Sequence, residues 1–357
     1  MRLLPLFGAG CMALAFAMAG TIARADAQYS QVIIFGDDFS DQGNAFKAYG
    51  LPPSPTYYKG RYTDGPNWVD QFTAALGLTT TNSLAGGTNY AYGGAATGPL
   101  AKGMMSFQPP SIYTQIFTYL RSHTVDPKAL YIVEGGIDDI GEALLNTESD
   151  PLDILLIPGT DVTAANDISV DVSLLTNSGA KTVLVPNLPN LALTPLVTEA
   201  PPGLLGLNTL LGPTLATDSA EAFNATLSTD LQPGIKSGKV ILWDFWNTTQ
   251  AALATAVDFG VTNTTSSCVP GFGNSATAVS TCTAAQQSSY AFWDQEHLTV
   301  LGNFGIAQGA DCALGLLNAL GLTQSQCVVT KSLDTTARTR LARDVNTFYH
   351  RAITRRL

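Results

Sequence analysis

The sequence predicts an α/β fold: a three-layer α/β/α sandwich with a central parallel sheet. Three observations lead there. Short apolar runs recur at Gln31–Phe35, Ala129–Val133, Thr182–Val185 and Val240–Trp243. Segments of helical periodicity separate them, at Trp68–Leu76, Ile112–Leu120, Ile168–Leu175 and Ala220–Leu231. No internal repeat or linker interrupts the alternation. A strand that is apolar at successive positions, rather than at every second one, is buried on both faces. Strands alternating with helices build a parallel sheet clad on both sides.

Taken in order, residues 1–27 read as a signal peptide. Arg2 starts it, Leu3–Ala23 is apolar, and Ala25-Asp26-Ala27 is a small-x-small cleavage signature. This predicts a secreted or periplasmic protein cut after Ala27. Residues 28–357 are expected to form one domain, closing with a basic helix near 338–357. Six arginines fall there, with Leu341, Val345, Phe348 and Ile353 at helical spacing. Docking of that helix on the domain is the expectation, and contact with a membrane surface is the rival reading. Between the third and fourth runs, Pro201–Pro213 is an apolar loop punctuated by Gly and Pro, a packed surface loop or an apolar lip over a cleft.

The chain carries a net charge of -10, which excludes nucleic acid as a partner held by the overall field. After cleavage four cysteines remain, Cys268, Cys282, Cys312 and Cys327. An even count in an exported chain points to two disulfides with three possible connectivities. Pairing of sequence neighbours is the simplest. The spacings contain no C-x-x-C, which argues against a metal site there.

In an open α/β sheet, ligands bind outside the carboxyl ends of the strands. That rule directs attention to Gly36-Asp37-Asp38, to Gly135-Gly136-Ile137-Asp138-Asp139 and to Asn187–Asn190. Asp41 and Asp139 are read as helix-capping acids. Histidine occurs only at His123, His297 and His350. His123 lies at a polar helix end and His350 in the basic tail. His297 follows Asp294 by three residues, a spacing at which a turn lets the carboxylate accept the Nδ1 proton and fix the ring.

Several blocks, in order, resemble the GDSL (SGNH) family of esterases and lipases. Ile33-Ile34-Phe35-Gly36-Asp37-Asp38-Phe39-Ser40-Asp41-Gln42-Gly43-Asn44 is similar to its F-G-D-S-L-S-D-x-G-N block. Gly60–Val69 is similar to G-R-F-S-N-G-x-x-W-V, and Gly87–Ala95 to G-x-N-F-A-x-G-G-A. Gly136-Ile137-Asp138-Asp139 falls on G-x-N-D, and Asp294–His297 on D-x-x-H. The resemblance spans about Val32 to Ala307. It implies a flavodoxin-like sandwich that hydrolyses carboxylic esters, small or lipid, without a cofactor. Carried over, it makes His297 the base and Asp294 its partner. Gly93 is the oxyanion glycine, although Gly87 and Gly94 are near it in sequence.

Two positions depart from that pattern. The family's nucleophilic serine falls on Asp38, and its oxyanion Asn on Asp138. A carboxylate at 38 would pair with the imidazole and raise its pKa. An ionised Asp138 would repel an oxyanion, whereas a protonated one could donate to it. Four readings stay open: an ester hydrolase in which the Asp38–His297 region activates water; Ser40 as a substitute nucleophile; a non-catalytic protein binding acyl or glycan ligands; and a metal-assisted hydrolase using Asp38, Asp138 and His297.

Overall fold

The structure is a computed structural model and describes residues 28–99, 108–146, 157–199, 212–316 and 320–329. The predicted signal peptide, the basic tail and nearly all of the 201–213 loop lie outside these residues. Of that loop, Gly212 and Pro213 open a helix, Gly212–Asp230.

Four strands form the central sheet: β1 (Val32–Phe35), β2 (Leu130–Val133), β3 (Thr182–Pro186) and β4 (Val240–Trp243). They pair in the order β1-β2-β3-β4, all parallel. Beyond β1, Asn89 bridges Ile34 in parallel, with Ile34 N–H donating to Thr88 and Tyr90 N–H to Ile34. Counting that short segment as second in the chain gives the order 2-1-3-4-5, the flavodoxin-like arrangement.

Alternate residues of each strand enter opposite cores. Ile33, Phe35, Tyr131, Val133, Val183 and Val185 face one, which the helices Ile112–Ser122, Ile137–Asn146, Ile157–Asn177 and Gly212–Asp230 cover. Val32, Ile34, Leu130, Ile132, Leu184 and Trp243 face the other, under the helices Trp68–Ala75, Phe245–Thr255 and Val300–Ala313. The result is three layers. Helix starts are set locally: Asn67 and Asp70 form a capping box, and Ser111, Asp244 and Thr299 each accept a backbone N–H from the first turn.

A second, two-stranded parallel sheet was not foreseen. It joins β5 (Asn263–Ser267) to β6 (Tyr290–Phe292). Its register matters because β6 runs straight into Asp294–His297. The disulfide Cys268–Cys282 closes the loop beside it, and the N–H groups of Cys268 and Val269 both donate to Trp293. Cys312–Cys327 ties the helix Val300–Ala313 to the segment whose Val328 bridges Trp243. Both pairings are the sequence-neighbour ones. No helix among the described residues is long and apolar enough to cross a membrane.

Candidate active site

The site is built from three strand ends. After β1, the turn at Gly36–Ser40 buries Asp37 and Asp38. After β2, Gly135 and Gly136 adopt φ of 155° and 112°, which L side chains rarely reach. That turn starts the next helix so that Asp138 and Asp139 sit in its first turn. After β6 comes the turn holding Asp294, Glu296 and His297, all buried.

Asp294 is fixed from several sides. Its Oδ1 accepts the N–H groups of Glu296 and His297 at 2.9 and 2.7 Å, and Tyr57 donates its hydroxyl to Oδ2 at 2.7 Å. His297 Nδ1 lies 2.9 Å from both carboxylate oxygens. That fixes the ring and directs Nε2 at Asp38, whose Oδ2 is 3.2 Å away. The approach is an ion-pair contact rather than a well-directed hydrogen bond, since neither Nε2 nor Oδ2 has a hydrogen-bond partner. Burial opposes charge on the imidazole, but Asp294 and Asp38 together raise the His297 pKa well above its ordinary value. These neighbours favour the imidazolium form of His297 in the resting pair.

Of the residues picked out from sequence, Asp38, Asp294 and His297 come together. Asp138 joins them from the β2 end: one of its carboxylate oxygens lies within 4.8 Å of ligand atoms of Asp37 and Asp38. Burial, then the charges of Asp38 and Glu296, raises the Asp138 pKa far above the carboxylate range, so it is protonated and can donate. The Gly93 N–H donates to Asp41 Oδ2 at 3.0 Å, so that amide is engaged in this structure. Ser40 donates its hydroxyl to Glu134 at 2.8 Å rather than to His297. Asp41 caps as expected, accepting the N–H groups of Gly43, Asn44 and Ala45. Asp139 accepts the N–H and hydroxyl of Thr97, tying a distant loop to the start of its helix. His123 is exposed at its helix end and stacks on Tyr119.

Three groups were missed. Tyr62 lies against Gly93, where any side chain at position 93 would collide with its hydroxyl. The Tyr62 ring centroid is 5.0 Å from that of His297, and its buried hydroxyl has no hydrogen-bond partner. Burial, then the surrounding carboxylates, raises its pKa well above the phenol value, so it remains a donor. Glu296 is 3 % exposed and its Oε2 is unpartnered. Glu134 sits beside Asp37, where burial pushes its pKa up to about 7. Tyr62, Glu296 and Glu134 fall in or beside quoted motifs, but only the fold shows what surrounds them.

Beside the site lies an apolar cleft lined by Phe39, Phe245, Leu253, Phe292, Leu298 and Leu301, with Glu296 also in its lining. Phe39 joins the two spaces, its ring 5.3 Å from His297 and 6.4 Å from Phe245.

No protein-family model matches the chain. It is 28% identical over 303 residues to a phosphatidylcholine-sterol acyltransferase of Aeromonas hydrophila, covering 82% of this chain and 81% of that one. It is 33% identical over 203 residues to Lipase 1 of Photorhabdus luminescens, covering 54% of this chain but only 27% of the lipase. A crystal structure of a lipolytic G-D-S-L family member from Veillonella parvula is similar at 14% identity and a TM-score of 0.35, covering 66% of this chain and 87% of that chain. The chain's relatives thus include a lipid acyltransferase, matched over most of both chains, and a lipase, matched over about a quarter of that enzyme's length.

Proposed function

We propose that this chain is an exported lipolytic ester hydrolase of the GDSL (SGNH) type in which water, not serine, attacks the ester. The observation that carries this is the Asp38–His297–Asp294 alignment beside an apolar cleft. The Asp38 carboxylate takes a proton from water as the oxygen bonds to the ester carbonyl carbon. The His297 imidazolium protonates the departing alcohol oxygen as the C–O bond breaks. Return of the proton from Asp38 to His297 restores the resting pair. The oxyanion is met by the Tyr62 hydroxyl and by protonated Asp138, in place of the amides that such enzymes use. The cleft suits an acyl chain, in keeping with the lipid-directed names of the relatives.

The test is turnover of short- and long-chain acyl esters and of phosphatidylcholine vesicles by the purified chain. Measurable hydrolysis is expected, falling at least roughly tenfold in Asp38→Asn. Tyr62→Phe should lower kcat by about 10–100-fold with KM little changed, since the hydroxyl acts on charge that develops only in the transition state. No turnover of any ester between roughly pH 4 and 9 overturns the reading. A second reading is binding of acyl ligands without turnover, which the engaged Gly93 amide favours. It predicts saturable binding in the absence of hydrolysis, and gain of esterase activity in Asp38→Ser combined with Asp138→Asn.

A further inference from the structure

Asp38, Glu296 and His297 each bring one potential ligand atom to a common point, and these atoms lie within 4.8 Å of one another. All three side chains are buried. Hydrogen bonds do not account for them: among the described residues both Asp38 oxygens, Glu296 Oε2 and His297 Nε2 have no hydrogen-bond partner, and the one close approach is the ion-pair contact between Nε2 and Asp38 Oδ2. No Lys or Arg is paired with any of them among the described residues. Buried polar atoms are otherwise nearly always satisfied, and buried carboxylates are paired or bind a cation. The histidine has the posture of a metal ligand. Its Nδ1 is bonded to Asp294, which orients the ring and leaves Nε2 bare, the carboxylate–histidine arrangement found behind metal-bound imidazoles. The 3.2 Å between Nε2 and Asp38 Oδ2 matches the spacing of about 3.3 Å expected between two ligands of a tetrahedral ion.

We propose that Asp38, Glu296 and His297 form a binding site for a divalent first-row cation, with Asp294 as the outer partner of the imidazole. One nitrogen and two carboxylate oxygens suit Zn²⁺ or Mn²⁺ better than the all-oxygen preference of Ca²⁺. The inference rests on the proposed hydrolase reading for what the ion would do. The ion would replace the proton on Nε2, activate the attacking water in place of the Asp38 base and polarise the ester carbonyl. Metal-bound water would give its oxygen to the carbonyl carbon. Protonated Asp138 would pass its proton to the alcohol oxygen as the C–O bond breaks and recover one from the bound water, so one water is consumed per ester.

The experiment is titration of the chelator-treated full-length protein with MnCl₂ and ZnCl₂ by calorimetry, with ester turnover measured in parallel. One ion per chain is expected, weakened at least tenfold in Glu296→Gln and in Asp38→Asn, two near-isosteric changes whose folding is checked by circular dichroism. No binding at millimolar ion, or binding that both substitutions leave unchanged, overturns the site. So does binding lost in Asp37→Asn and Asp138→Asn but kept in Glu296→Gln, which places the ion among Asp37, Asp38 and Asp138 instead. Turnover that persists without any bound ion removes the metal and leaves the hydrolase reading standing. Binding with no turnover leaves the site standing and removes the hydrolase.

Discussion

Asp38 and Asp41 leave the same buried turn and meet opposite surroundings. Asp41 accepts four backbone N–H groups, from Gly43, Asn44, Ala45 and Gly93. Asp38 accepts none among the described residues, and both its oxygens are buried beside His297. Each carboxylate is out of water, so each must have a reason to be there. For Asp41 the reason is structural: one side chain starts a helix and clips the Gly93 loop to it. For Asp38 the structure supplies no such return, and an orphaned carboxylate facing an oriented imidazole is the arrangement that chemistry requires.

Removing the acceptor should therefore hurt most where the acceptor is used. Asp41→Ala leaves four buried N–H donors without a partner, a loss of about 3–5 kcal/mol. Denaturant unfolding would show it as a midpoint well below that of the wild type. If Asp41→Ala proves as stable as Asp38→Ala, the contrast between the two acids is an illusion of geometry.

Asp171 sharpens the comparison from another side. It lies on the helix Ile157–Asn177, fully buried, with neither oxygen hydrogen-bonded, and among the described residues no histidine is paired with it. It separates burial from clustering. Burial, then the charge of Asp167, raises its pKa from 3.8 to about 8. A raised folded-state pKa means the fold prefers the protonated form. The contribution is complete below the unfolded value and is lost as pH rises through the folded one. Between about pH 4 and 8 this group withdraws up to about 1.4 kcal/mol per pH unit. Asp139, Asp161 and Asp311, each raised to about 7, act in the same direction. The protein should melt at its highest temperature in mild acid and lose stability toward pH 8. Asp171→Asn should flatten that slope by roughly one group's worth, leaving ester turnover unchanged. An unaltered slope in thermal melts across this range would show that the carboxyl is wetter than it looks.

What was readable in the sequence follows the same division between local and tertiary causes. The four central strands were legible because burial on both faces makes them apolar throughout, and their ends fell within a residue or two of Val32–Phe35, Leu130–Val133, Thr182–Pro186 and Val240–Trp243. The strand Asn263–Ser267 was not, since Asn-Thr-Thr-Ser-Ser carries no apolar alternation and is held by backbone pairing and the neighbouring disulfide. The long helices were read too short. Ile157–Asn177 begins eleven residues before the Ile168 start that its periodicity gave, through a stretch with Pro158 and Gly159 that carries no clear stripe. At the site, Asp294 and His297 were visible because their spacing is local. Tyr62 and Gly93 sit in different blocks, and only the fold brings the hydroxyl against the glycine. Glu296 lay inside a quoted motif, but its unpartnered oxygen depends on what the β1 turn brings opposite it.

The smallest effect on stability is the most informative about function. Asp38→Asn keeps the shape of the side chain and removes a buried charge that no protein N–H satisfies. It also breaks the contact with His297, whose other nitrogen remains held by Asp294. The lost ion-pair attraction and the relieved desolvation oppose each other, so the net change should lie within about 1 kcal/mol of zero, of either sign. Hydrolysis should fall nevertheless, and the alkaline limb of any residual pH profile should move to lower pH, because one of the two carboxylates that keep His297 protonated is gone. A stable, folded Asp38→Asn with weakened turnover would mark Asp38 as held for chemistry. A loss as large as that of Asp41→Ala would mean that the turn needs both acids to fold, and the distinction between them would collapse.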